Sequence, residues 1–218
     1  MPRKAAAVAR RAGRPSRADA LLLRERILET ATDLFLAEGY GSTSIEAVAA
    51  RAGISKRTFY DRFDDKAMLF AAVVHRIIEH MRPPAGVPLL AGAALPDILI
   101  RLAGLILNAA LSPPALALHR LVNAEAVRFP ELIKGVNSDG TTREAVSLIG
   151  DLLARELPSA NLSNADRRFA AQQFIFMVIS LPQRRAMGFG TRMTPAELDA
   201  WARQVVGLFL NGCRGLAT

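Results

Sequence analysis

Ser55-Lys56-Arg57-Thr58-Phe59-Tyr60 sets a serine, a lysine, an arginine, a threonine and a tyrosine within six positions, and Arg62 and Lys66 follow close behind. These side chains donate hydrogen bonds to anions and to flat heteroaromatic edges. A guanidinium such as that of Arg57 can pair with O6 and N7 of guanine. Hydroxyls, ammonium groups and the free amides of a helix N-terminus suit phosphate oxygens. Just upstream, Thr43-Ser44-Ile45-Glu46 has the form of a capping box, in which the Thr43 hydroxyl accepts from the amide near Glu46 and Glu46 reaches back. A solvated helix face would also carry lysines and arginines, so what matters is how the chain positions them.

The positioning elements read as helices. Ile27, Leu28, Ala31, Leu34 and Phe35 form one apolar stripe in a helix that starts near Asp19 or Ala20 and ends at Glu38, with Gly39 as its stop. A second, short helix starts at Thr43, turns Val48 and Ala49 to the core and ends at Gly53. Ile54 plugs the core, and Ser55 caps a third helix over residues 56–63, buried through Phe59 and Phe63. A fourth runs from Asp65 or Lys66 to about Met81. Two short helices joined through Ala52-Gly53-Ile54 and packed on a longer first helix describe a helix-turn-helix. Its last helix would enter a major groove and offer its N-terminal side chains to base edges.

Residues 39–63, extended back to about Arg26 and on to Lys66, resemble the signature of the tetracycline-repressor (TetR) family. The resemblance implies an all-helical homodimer that represses transcription, binds a double-stranded DNA operator and carries an effector-binding second region. On the matching positions, Thr43, Ser44, Tyr60 and Lys66 are implied phosphate contacts, and Ser55, Lys56, Arg57 and Thr58 face bases or backbone. Arg57 is the candidate for reading guanine. A second stretch, His119-Arg120-Leu121-Val122-Asn123-Ala124-Glu125-Ala126-Val127-Arg128-Phe129-Pro130-Glu131-Leu132, looks like the C-terminal domain of the AefR-like subgroup.

Charge placement agrees. The 218-residue chain has a net charge of +8. Arg3, Lys4, Arg10, Arg11, Arg14 and Arg17 put six positive charges and no acid in the first seventeen residues, whereas residues 18–82 carry nine basic against ten acidic side chains. The excess sits in a leading arm suited to a polyanion. Within it, Gly13-Arg14-Pro15 resembles a minor-groove hook, with Arg14 as the inserted side chain. Cys213 is the only cysteine, which rules out an intrachain disulfide and fits a reducing cytoplasm. No signal-peptide pattern and no membrane-spanning apolar run is present. Half of the residues are apolar and alternating β-branched runs are missing, so the expected fold is all-α.

The expected organisation is a flexible basic arm over residues 1–18, a helix-turn-helix domain over 19–66 and an effector-binding and dimerisation domain over 67–218. Helical patterns cover residues 96–111, 115–128, 131–157 with a break at Asn137-Ser138-Asp139-Gly140, 164–187 with a bend or interruption at Pro182, and a last helix opened by Thr194-Pro195-Ala196-Glu197. The last two helices are apolar on more than one face, the pattern of a symmetric dimer contact. Polar or aromatic groups interrupting apolar faces nominate Asn108, His119, Asn123, Gln173, Phe176 and Met177 as effector contacts. His75, His80 and His119 are not spaced as metal ligands along one helix face, and no nucleophile–base pair or phosphate-cradling loop is present. The expectation is therefore no metal, no cofactor and no enzyme. The rival readings are an activator without a small-molecule effector, which ligand-induced release from DNA would exclude, and a helical-bundle enzyme, whose turnover would survive loss of Arg57 and Tyr60.

Overall fold

The computed structural model describes residues 17–81, 94–137, 141–157 and 161–215. Arg14 and the rest of the arm before Arg17 lie outside the described residues, as do the proline-rich segment after Met81 and Ser138-Asp139-Gly140. Among the described residues the chain forms helices and no strand: α1 (Arg17–Glu38), α2 (Ile45–Arg51), α3 (Lys56–Tyr60), α4 (Lys66–Met81), α5 (Leu95–Ala110), α6 (Pro113–Glu125), α7 (Glu131–Asn137), α8 (Thr141–Glu156), α9 (Asn164–Ala186) and α10 (Pro195–Gly215).

Helix α1 buries Ile27, Leu28, Thr30, Ala31, Leu34 and Phe35 along one stripe. It stops at Gly39, whose φ of +89° is open to glycine and strained for other residues. Helix α2 begins later than its sequence suggests. Ser44, not Thr43, is its cap, accepting from the Ala47 amide at 3.0 Å. Thr43 is turned inward, 1% exposed, and donates its hydroxyl to the Gly39 carbonyl at 2.8 Å. The carbonyls at the end of α1 lack partners within their own helix, and Thr43 supplies one. Gly53, at φ +66°, ends α2, and Ser55 caps α3 by accepting from the Thr58 amide at 3.1 Å. Helix α3 stops at Tyr60, although Phe63 is still buried beyond it.

Two boundaries further on also differ from expectation. Ser112 caps α6, so Pro113 and Pro114 form its first turn rather than a loop, a place where a missing amide costs nothing. The same helix ends at Glu125, before Arg128. Pro182 lies buried inside α9, which continues past it to Ala186. The expected capping box at α10 is formed: Thr194 donates to Glu197 through both its amide and its hydroxyl, at 2.7 and 2.9 Å.

The buried side chains form two clusters. One joins α5, α8, α9 and α10 around Leu99, Leu153, Phe174 and Phe209. The other holds α1 to α4 around Ile27, Phe35, Phe59 and Phe70, and it also takes in Leu118 and Leu121 from α6 and Leu132 from α7. The helix-turn-helix is thus packed directly on α6 and α7, which belong to the second region.

Candidate nucleic-acid interface

On α3 the side chains expected to meet DNA divide by how they are engaged. Ser55 and Thr58 share a hydroxyl–hydroxyl bond at 2.9 Å while Ser55 caps the helix. Both hydroxyls therefore define the helix start as well as facing outward. Lys56 is paired with Glu46 of α2. Their contact holds the Glu46 carboxyl below, and the Lys56 ammonium above, its ordinary value. A phosphate must compete with Glu46 for this lysine. Arg57 is exposed and makes no ion pair or hydrogen bond with its side chain among the described residues, so its guanidinium is available. Tyr60 is 48% exposed, its ring edge-on to Phe59 at 5.5 Å. Arg62 turns back to the Thr58 carbonyl at 3.1 Å.

At the entrance to α2, Ser44 is exposed and Thr43 is not. Lys66 reaches the same place from α4: its ammonium donates to the Thr43 carbonyl at 2.9 Å and lies 4.4 Å from the centre of the Tyr40 ring. Burial lowers the Lys66 pKa, with Glu125 and Glu131 opposing the shift. Two of its three N–H donors point at Gly41 and Thr43 carbonyls, which leaves one for a phosphate. Sequence reasoning did not find Glu46 as the partner of Lys56, nor Glu125, Phe129 and Glu131 around Tyr40. Glu125 and Glu131 stand at helix ends 85 and 91 residues from Tyr40.

The six effector candidates lie on three helices and differ in exposure. Asn108 on α5 and Asn123 on α6 are exposed, and His119 on α6 is half-buried. Met177 is half-buried against the second core. Gln173 and Phe176 lie on the outward face of α9 with Phe169, Phe176 being 66% exposed. An open cleft of about 990 Å³ lies between α8 and α9, with Arg143, Arg167 and Arg168 beside Val146 and Phe169. Asp151 lines it too, so the cleft sets both charges beside its apolar wall.

A capped helix-turn-helix on an all-helical chain, with an exposed arginine on its second helix, defines a helical DNA-binding regulator. Residues 27–73 match the bacterial regulatory proteins of the tetR family, and residues 97–212 match the C-terminal domain of AefR-like transcriptional repressors. The chain belongs to the TetR family. A TetR-family transcriptional regulator from Mesorhizobium loti has a similar fold, with a TM-score of 0.68 and 29% identity over 91% of this chain and 98% of that one. The flavonoid-responsive regulator FrrA is similar too, with a TM-score of 0.73 and 26% identity over 88% of this chain and 96% of its own. The HTH-type transcriptional activator FasR of Mycolicibacterium smegmatis is 33% identical over 58 residues, a match that spans 27% of this chain and 26% of FasR.

Proposed function

We propose that the chain is a repressor that binds a pseudo-palindromic operator as a homodimer and leaves it when a small molecule occupies the second region. The observation that carries the DNA half is the exposed Arg57 guanidinium, without a side-chain partner among the described residues, on a helix capped by Ser55. In this reading Arg57 and Thr58 choose bases, while Ser44, Tyr60, Lys56 and Lys66 hold phosphates. Thr43 supports the turn rather than touching DNA, because its hydroxyl is buried. Two copies joined through α9 and α10 would set their recognition helices about 34–36 Å apart, one turn of the duplex.

The repressor assignment follows the AefR-like repressor match, which covers far more of the chain than the match to the activator FasR. FrrA, named as flavonoid-responsive, supports a small-molecule effector. Such a molecule releases the operator only by binding one conformation better than the other. His119 and Met177 remain as candidate contacts for it. We assign Gln173 and Phe176 to the dimer face, and the exposed Asn108 and Asn123 to neither. A cytoplasmic location fits a DNA partner, and among the described residues no single helix is long and apolar enough to cross a membrane.

The test is selection of bound sequences from a random DNA pool with the purified full chain. The expected product is a pseudo-palindrome. Arg57→Ala should relax preference at one base pair of each half-site, by roughly 1–3 kcal/mol for a bidentate contact. An equal loss on every base variant would move Arg57 to the phosphate contacts, and a pool that yields no palindrome would defeat the reading. A promoter fusion decides the sign: transcription that falls when the gene is deleted would make the chain an activator.

A further inference from the structure

The turn between α1 and α2 is held from outside the helix-turn-helix. Glu125, the last residue of α6, accepts the Tyr40 amide on one carboxylate oxygen and the Gly41 amide on the other, each at 2.6 Å. Both oxygens are used, and bonds from amides to a charged acceptor are the strong kind. Helix geometry alone disfavours an acid in the last turn, where the macrodipole is already negative. The two amides offset that cost.

The chain leaves room for this contact. A Cβ on Gly41 would lie 2.9 Å from the Phe129 ring and 3.1 Å from Glu125 Oε2. On Gly39 it would lie 2.5 Å from Glu125 Oε1. Around the carboxylate, Tyr40 packs edge-on to Phe129 at 5.2 Å, and its hydroxyl donates to Glu131 of α7 at 3.3 Å. The held turn leads straight to DNA-facing groups. The Gly39 carbonyl takes the Thr43 hydroxyl, the Gly41 and Thr43 carbonyls take the Lys66 ammonium, and Ser44 then caps α2.

We propose that Glu125 is a positioning residue for DNA binding: by gripping the Tyr40 and Gly41 amides it sets where the second region holds the reading head. The role rests on the regulator reading above. It makes the end of α6 a point at which a change in the second region reaches the DNA-binding helices: any conformation that withdraws Glu125 frees the α1–α2 turn and lowers operator affinity.

The experiment uses the full chain and the operator that wild type selects, well below the melting temperature of each variant. Glu125→Gln keeps the shape of the side chain but can accept from only one amide with good geometry. It should speed hydrogen exchange at Tyr40 and Gly41 and weaken operator binding by roughly tenfold, the scale of one charge-assisted hydrogen bond, while lowering the melting temperature by only a few degrees. Glu125→Asp keeps the charge but is one methylene short, and it should lose affinity as well. Gly41→Ala attacks the same contact from the other side, and the double variant Glu125→Gln/Gly41→Ala should be no weaker than the worse single one.

Operator binding within about twofold of wild type in Glu125→Gln, strictly additive losses in the double variant, or full affinity in Glu125→Asp would each overturn the positioning role. A fall in melting temperature with unchanged affinity would make the contact structural only, and that also overturns it. Failure of wild type itself to bind DNA is a different result: it defeats the regulator reading.

Discussion

Tyr40 is 2% exposed, and its phenol faces Glu131 while the Lys66 ammonium covers its ring. Burial, with Glu131 next in weight, pushes its pKa well above the ordinary 10.0. The folded chain therefore keeps a proton that the unfolded chain gives up at high pH. A group of this kind contributes stability that is whole below the unfolded pKa and is lost as pH rises through the folded one. Lys66 works the other way, because burial lowers its folded pKa and the charged form is the one that burial disfavours. Comparison with Tyr40→Phe isolates the phenol: urea midpoints of wild type should fall from about pH 10 upward, and the fall should be smaller in the variant. A direct reading is available because the chain has two tyrosines. In a Tyr60→Phe background the remaining phenol should gain its phenolate absorbance only as the chain unfolds. Absorbance that rises at the ordinary pKa in folded protein would show that Tyr40 is not held as described.

Thr43 and Ser44 set out the same problem at the scale of an element. Either side chain could cap α2, and the pattern Thr43-Ser44-Ile45-Glu46 favours Thr43. The folded chain uses Ser44, because Thr43 satisfies the Gly39 carbonyl and its own carbonyl receives Lys66. Ser44→Ala should therefore cost about 1 kcal/mol as a lost cap. Thr43→Val should cost about 1 kcal/mol, because the Gly39 carbonyl loses the hydroxyl and keeps only the residue-43 amide at 3.3 Å. Equilibrium urea unfolding measures both, and an unchanged midpoint for Ser44→Ala would return the cap to Thr43. Elements governed by local chemistry were legible in the sequence: the α1 stripe, the stop at Gly39, the turn at Gly53, the Ser55 cap and the Thr194–Glu197 box all depend on near neighbours. What escaped depended on distant partners. Glu125 lies 84 residues from Gly41, and Lys56 finds Glu46 across two helices; nothing in either local pattern marks the pairing. Likewise, the outward placement of Gln173 and Phe176 was not legible, because an aromatic on a helix reads alike whether it faces a cavity or the outside.

For the whole molecule, the outside of α9 and α10 is one place where large apolar side chains remain uncovered. Phe169 and Phe176 are 61% and 66% exposed on α9, with Gln173 on the same face, and Leu208 is 65% exposed on α10. The inner faces of the same helices fill the second core with Phe174, Val178, Val205 and Phe209. A helix apolar on both sides needs a second partner, and a symmetric copy offers one with the same patch. Phe176→Glu tests this without touching the monomer core, since the side chain points outward. A charge would enter such an interface twice, once from each copy, and each buried unpaired carboxylate is far costlier than the ring it replaces. Sedimentation should therefore show a dimer for wild type and a monomer for the variant, with the helical signal and melting profile of each chain retained. Binding to a complete pseudo-palindrome should fall towards the level of a single half-site, because one recognition helix then binds without the other. Retention of the dimer by Phe176→Glu would place the interface elsewhere. Loss of the dimer with full operator affinity would mean that a single copy of the reading head carries the binding, and the expected spacing between half-sites would then have no role.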